Sequence, residues 1–369
     1  MIEYELNGPP SQQRTRIRLA ASMKENRFPQ AVLIEGLPGI GKKALAMELA
    51  KALSCTGALQ RPCGVCFGCK MSSDPGAVEN WVIPLESKEA KARKSSDVPE
   101  GSAAKTVEEF TQVYLKKIIE NPYSIDYLSA ASEISIDIIR SFTGRFSLKN
   151  ETVRCVIIAE ADRMNESASN ALLKTLEEVP PNTYFILTTS SKEHLLQTIR
   201  SRCLSINLPP LSSKEVREKV NEMAGVSVSD DLLGLAQGSV GRALYYEPRA
   251  QELQDLALEF LISSLSGDYS SLFFSMDKED LKDPSTANLF LEVLSFLIAD
   301  VIRGISGVPL RLPETTPKFN EACATLPDLE AFTFALNTVQ DTIYRIAGRR
   351  TSSIVSLQSL AIKLFDGFR

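Results

Sequence analysis

The segment Gly36-Leu37-Pro38-Gly39-Ile40-Gly41-Lys42-Lys43 constrains this chain more than any other. It follows an apolar run, Ala31-Val32-Leu33-Ile34, and leads straight into a helix-forming stretch, Ala44-Leu45-Ala46-Met47-Glu48-Leu49-Ala50. A strand, a glycine-rich turn and a helix in that order curl backbone N–H groups around an anion at a helix N-terminus. Such a unit belongs in a parallel sheet flanked by crossover helices. Lys42 stands where an ammonium reaches the terminal phosphates of a nucleotide. The next position in a hydrolysing loop is Ser or Thr, whose hydroxyl binds magnesium, and here it is Lys43. An ammonium has no lone pair for a metal and places positive charge where the metal belongs. The loop is suited to hold an anion and poorly equipped to hydrolyse one.

The run Val153 to Ile158 is nearly continuous in apolar residues, as in a strand buried on both faces of a parallel sheet. Nucleotide hydrolases end such a strand with an Asp for magnesium and a Glu to activate water. Here the sequence continues Ala159-Glu160-Ala161-Asp162, so Ala159 replaces the metal ligand and Glu160 keeps only the base. Lys43 and Ala159 would have served the same ion, so their losses reinforce each other.

Cys55, Cys63, Cys66 and Cys69 follow the loop helix, four of the chain's seven cysteines. Two overlapping Cys-x-x-Cys spacings with a fourth thiol from the preceding helix end suit tetrahedral zinc. Pro62, Gly64 and Gly68 supply the turns that let the ligands converge. A redox pair or free thiols are the alternative. A four-cysteine site leaves no open coordination position, so the predicted zinc is structural. Cys155, Cys203 and Cys323 are scattered as core thiols are, and the whole usage fits a reducing cytoplasm.

A chain of 369 residues is expected to form two or three domains. Its 44% hydrophobic and 24% charged content is that of a soluble globular protein. A formal net charge of −5 argues against wrapping nucleic acid with its own basic surface, and a free-standing zinc-dependent DNA-binding module fits it badly. The acidic start Met1-Ile2-Glu3-Tyr4-Glu5 lacks the pattern of a signal peptide. Leu289 to Ile305 is the most apolar helical stretch, but Glu292, Asp300 and Arg303 interrupt it and predict a buried bundle helix.

Along the chain, the pattern predicts an amphipathic helix over 11–24, a short strand over Trp81–Leu85 and a helix from Val107 to Ile119. Ile134 to Arg140 reads as strand turning into helix, and 165–178 as a helix stopped by Pro180-Pro181. Tyr184 to Thr189 reads as a third buried strand. Lys88 to Lys105 is polar and without apolar periodicity, a flexible surface insertion. From Ser212 strand signals vanish; a small helical segment runs to about Tyr246, and a longer all-helical region fills 250–369.

Ser201-Arg202-Cys203 closes the third strand–helix unit. Arg202 is either the partner of a nearby carboxylate or a finger inserted into a neighbouring subunit's ATP site, where a guanidinium neutralises transition-state charge. Gly238-Ser239-Val240-Gly241-Arg242 opens a helix from which Arg242 could approach a phosphate at the loop; a plain helix start has the same pattern. His194 is the only histidine and lies in a polar loop, so no relay using other histidines exists.

Together these segments resemble the AAA+ clamp-loader family of bacterial replication. The resemblance is carried by Phe28-Pro29-Gln30-Ala31, the loop, the four-cysteine module, Glu160-Ala161-Asp162-Arg163-Met164, Asn170-Ala171-Leu172-Leu173-Lys174-Thr175-Leu176-Glu177-Glu178 and Ser201-Arg202-Cys203. These span roughly residues 11 to 246; the C-terminal third matches only in length and helical character. The resemblance implies a parallel α/β core over 1–207 carrying the zinc module, a three-helix lid over 208–249 and a helical collar over 250–369. It implies a ring with gamma/tau and delta subunits that loads a sliding clamp on primed DNA for the DNA polymerase III holoenzyme.

In that family the gamma/tau motors keep the loop Thr and the acidic pair, whereas a stator subunit of the ring lacks a working site. Lys43 and Ala159 align this chain with the stator, and Arg202 then completes an adjacent subunit's ATP site. The alternative is an active ATPase motor of the gamma/tau type. Two departures stand out: the insertion at 88–105, and the retained Gly41-Lys42, which leaves ATP or ADP binding without turnover open.

Overall fold

Val32, Leu33 and Ile34 are completely buried, which only a central strand covered on both faces allows. The computed structural model describes residues 2–86, 107–125, 132–143, 152–268, 270, 279–323, 328–349 and 352–368. The polar stretch 88–105 lies outside the described residues. The chain divides into two compact units, Met1–Glu215 with Gly238–Arg242, and Val216–Gln237 with Ala243–Arg369.

In chain order the first unit carries β1 (Glu3–Tyr4), α1 (Gln13–Lys24), β2 (Ala31–Glu35), α2 (Lys42–Ser54), β3 (Gln60–Arg61) and α3 (Phe67–Met71). It continues with β4 (Trp81–Val82), α4 (Val107–Glu120), α5 (Ile136–Thr143), β5 (Arg154–Ile158), α6 (Glu166–Glu177), β6 (Thr183–Thr189), α7 (Gln197–Arg200) and β7 (Leu204–Asn207). The main sheet has the order β4-β5-β6-β2-β7, and every neighbouring pair is parallel. Glu35 pairs with Thr189 and with Asn207, while Ile158 pairs with Leu187. That register brings the residues following β2, β5 and β6 together at the carboxyl ends of the strands, where open α/β sheets bind ligands.

The expected core elements form, with boundaries set by local chemistry. Asn165 caps α6 by accepting the Ala168 N–H at 2.9 Å, and the helix ends ahead of Pro180-Pro181. Ile134 makes a single parallel bridge to Met164 before α5 begins, the strand-to-helix change read from sequence. The strand expected over Trp81–Leu85 is shorter. Only Trp81 and Val82 join the ladder; Pro84 has no N–H to donate, and Leu85 instead bridges antiparallel to Glu133. β7 went unrecognised because it is an edge strand, Leu-Ser-Ile-Asn, in which Ile206 alone is buried. The two-residue pair β1–β3 is too short to leave a pattern.

From Ser213 every described element is helical: α8 (Ser213–Ala224), α9 (Asp230–Ala236), α10 (Val240–Tyr246), α11 (Ala250–Ser266), α12 (Pro284–Ile305), α13 (Thr315–Ala322), α14 (Leu329–Arg349) and α15 (Ser353–Gly367). In the second unit α12 is the central helix, packed against α11, α13 and α14. Asp283 caps it by accepting the Thr286 N–H, and Pro284 occupies the first turn where no N–H is needed. Among the described residues α12 is the one helix long and apolar enough to cross a membrane, yet most of its apolar window is buried in the protein. Its Asp300 is buried and accepts from Arg311 N, Leu312 N and Thr316 Oγ1. A P-loop α/β core bearing a cysteine module, followed by all-helical regions, is the fold class expected from the sequence.

Candidate functional site

The loop between β2 and α2 is held in its turn by glycines in the left-handed region, Gly39 at φ 70° and Gly41 at φ 104°. A side chain at Gly39 would lie 2.6 Å from the Gly241 Cα, so two backbones meet there. The loop's carbonyls are taken: Ser239 Oγ donates to Pro38 O at 2.7 Å and the Gly241 N–H to Gly39 O at 3.0 Å. The Gly238–Arg242 segment therefore sits directly on the phosphate loop, and Arg242 is half-buried. Tyr123 packs on Gly41, and Gln12, fully buried, donates from Nε2 to Ile40 O at 3.1 Å.

Lys42 turns back onto its own loop. Its Nζ donates to Gly36 O at 2.8 Å, Leu37 O at 2.9 Å and Ser190 Oγ at 2.8 Å. Burial lowers its pKa to about 8, opposed by Glu160 and assisted by the neighbouring Lys43 charge. Lys43 occupies the position of the magnesium-binding hydroxyl and makes an ion pair with Glu160 Oε1 at 3.3 Å while donating to Ser124 O at 3.0 Å. Their side chains are 5% and 16% exposed, so this is a buried pair. Burial alone would raise the Glu160 carboxyl, but Lys43 and Lys42 hold it below its ordinary value. Glu160 itself is left-handed at φ 51°, with its N–H on Thr188 Oγ1 at 3.1 Å. Ala159 is fully buried and offers only a methyl group. The residues that sequence predicted for a nucleotide site, Gly36, Gly39, Gly41, Lys42, Lys43, Ala159, Glu160 and Arg242, lie around this loop, with Lys42 on the Gly36 carbonyl and Lys43 on Glu160.

Sequence reasoning missed Gln12, Tyr123, Ser124 and Ser190, and gave Ser239 of the Gly238–Arg242 segment no role of its own. Ser190 was recoverable in principle, since it directly follows β6 beside β2. The others arrive from segments that only tertiary folding brings to the loop.

The four thiols converge as the spacing predicted, with Sγ atoms all within 4.8 Å of one another. Cys55 caps the C-terminus of α2, Cys66 precedes α3 and Cys69 lies within it. Cys55 Sγ accepts from Gly57 N at 3.2 Å and Cys63 N at 3.3 Å, the amide bonding that stabilises a thiolate. The Cys55–Cys66 sulfur separation is 3.8 Å. Metal–sulfur bonds of about 2.3 Å in a tetrahedron require about this edge, so the donor set fits zinc. Backbone hydrogen bonds from Cys69 and Thr56 pull Cys66 down to about 5, whereas burial pushes Cys69 up to about 12. A cation would offset the cost of keeping Cys69 ionised. A cavity of about 550 Å³ lies beside this module at the start of β5, away from the phosphate loop.

Arg202 lies at the protein surface after α7. Its Nη2 is 2.5 Å from Glu177 Oε1 and its Nη1 donates to Thr198 O at 3.0 Å. The carboxylate partner that sequence left open is therefore present. His194 is exposed in a short turn.

A family described as DNA polymerase III, delta subunit, matches residues 11–212, more than half of the chain. The chain belongs to that family. Within this DNA polymerase III family, the delta' subunit of Escherichia coli K12 is 29% identical over 307 residues, spanning 79% of this chain and 75% of that protein. The tau/gamma subunit of Haemophilus influenzae is 30% identical over 203 residues, 54% of this chain but 23% of that longer protein. A gamma subunit-related protein of Thermotoga maritima superposes over 97% of this chain and 99% of its own, with TM-score 0.47 at 17% identity.

Proposed function

We propose that this chain is the delta-prime-type stator of a bacterial clamp loader, a cytoplasmic subunit that assembles with gamma/tau and delta subunits to load a sliding clamp on primed DNA. Its working parts are the core over 1–207, the lid over 208–249 and the collar over 250–369. The observation that carries this reading is the buried Lys43–Glu160 ion pair beside Ala159. An ammonium fills the magnesium position, and the carboxylate that would activate water is spent neutralising it. Nucleotide could bind only by displacing contacts already made by Lys42 and Lys43. Arg202 acts in trans as the finger of a neighbouring gamma/tau site, and Cys55, Cys63, Cys66 and Cys69 hold one structural zinc.

ATP turnover by the purified chain, with and without primed DNA, tests the reading directly. No turnover above background is expected from the stator. Robust magnesium-dependent hydrolysis would falsify it in favour of a gamma/tau-type motor.

A further inference from the structure

We infer that Glu177 is the positioning residue for Arg202, tethering the guanidinium in one orientation at the protein surface before any neighbouring nucleotide is present. The inference rests on the arginine-finger reading above. Glu177 is the last residue of α6, and Thr198 lies in α7, so two separate elements fix the fork. Glu177 Oε1 takes Nη2 at 2.5 Å and the Thr198 carbonyl takes Nη1 at 3.0 Å. The backbone beneath is fixed as well: the Arg202 N–H donates to Ile199 O at 3.1 Å, and Cys203 next to it is buried.

The pair is a poor candidate for a contact that only stabilises the fold. The two side chains are 35% and 50% exposed, and ion pairs so solvated contribute little to stability. Its effect falls on the arginine's freedom instead. An unrestrained arginine samples many rotamers, and each must be given up when the fork meets a phosphate. Two acceptors occupy two of five N–H donors, which leaves the others available to an incoming anion. Preorganisation of this kind lowers the cost of reaching the transition state without changing how the substrate itself binds. The carboxylate also neutralises part of the finger's charge, so an uncharged acceptor at the same place should serve almost as well.

The test uses the assembled complex with ATP, primed DNA and clamp, comparing Glu177→Ala, Glu177→Gln, Arg202→Ala and the Arg202→Ala/Glu177→Ala pair. Glu177→Ala should lower kcat at the adjacent site about 3-fold with KM for ATP unchanged, the scale of one solvated ion pair. Glu177→Gln should restore most of that loss. In the Arg202→Ala background the second substitution should add nothing, since no finger remains to be positioned. Thermal melts of the isolated variants check that folding is retained. Wild-type or faster turnover with Glu177→Ala, while Arg202→Ala is impaired, overturns the inference and leaves the finger intact. Unimpaired turnover with Arg202→Ala removes the finger reading itself, and the positioning role goes with it.

Discussion

Lys43 and Glu160 form a buried ion pair where a hydrolysing loop would hold magnesium. In the buried site each charge is tolerated because of the other, and removing one partner leaves an uncompensated charge. Glu160→Gln should therefore destabilise the core by about 3 kcal/mol, read from urea unfolding. The pH dependence has a definite sign. Because the folded Glu160 carboxyl sits below its ordinary value, its contribution is complete above that value and lost as pH falls through the depressed one. Glu160→Gln should flatten the acid limb of the stability curve below about pH 4. Lys42 has the same sign in a higher pH window. Its folded pKa of about 8 lies below the ordinary 10.5, so the unfolded chain binds the extra proton between the two and stability rises with pH there. Lys42→Met should remove that rise. Installing Lys43→Thr and Ala159→Asp together is expected to restore magnesium-dependent nucleotide binding, measured by titration calorimetry, whereas either change alone is not.

At the scale of elements, the cysteine module is a clasp between the end of α2 and the start of α3. A side chain at Gly68 would come within 2.2 Å of Ser54 O, so the two helices are packed backbone to backbone at that point. Cys66→Ser should reduce zinc below one per chain by metal analysis and loosen this module, while the sheet melts as before. Full zinc occupancy in that variant would show the ligand set to be wrong. In the second unit Asp231 and Asp300 clamp the connector leading into α13. Asp231 accepts from Glu314 N and Thr315 N, and Asp300 from Arg311 N and Leu312 N. An amide at either position turns a donor toward an amide N–H. Asp300→Asn should cost about 2 kcal/mol, seen as a lower urea midpoint with an unchanged slope.

For the whole molecule, function is expected to appear only in company. If Arg202 is the proposed finger, Arg202→Ala should leave zinc content and assembly intact yet slow one neighbouring ATP site, where fingers are worth about 10³–10⁵-fold. In the proposed ring the other sites use their own arginines, so total ATPase should fall only in part and clamp loading more. Arg202→Lys should not rescue, because an ammonium lacks the planar fork. An assembled Arg202→Ala complex with unaltered ATPase and clamp loading would leave Arg202 as a structural partner of Glu177 alone.

Much of this was legible in the sequence, because it rests on local pattern. The strand–loop–helix around Gly36–Lys43, the buried strands ending at Ile158 and Thr189, and the cysteine spacing each depend on residues close together in the chain. Lys43 and Ala159 could be judged from chemistry, since neither side chain can ligate magnesium whatever its surroundings. Tertiary structure decided what occupies the space instead. The pairing of Lys43 with Glu160 joins residues far apart in sequence, and Gly241 reaches Gly39 because glycines allow two backbones to touch. The edge strand β7 carries too few buried residues to declare itself and forms because β2 offers a free ladder. The Glu177–Arg202 contact was beyond any periodicity, because it depends on how α6 and α7 end beside each other. Pattern encodes which face is buried, but the identity of a distant partner is settled only when the faces meet.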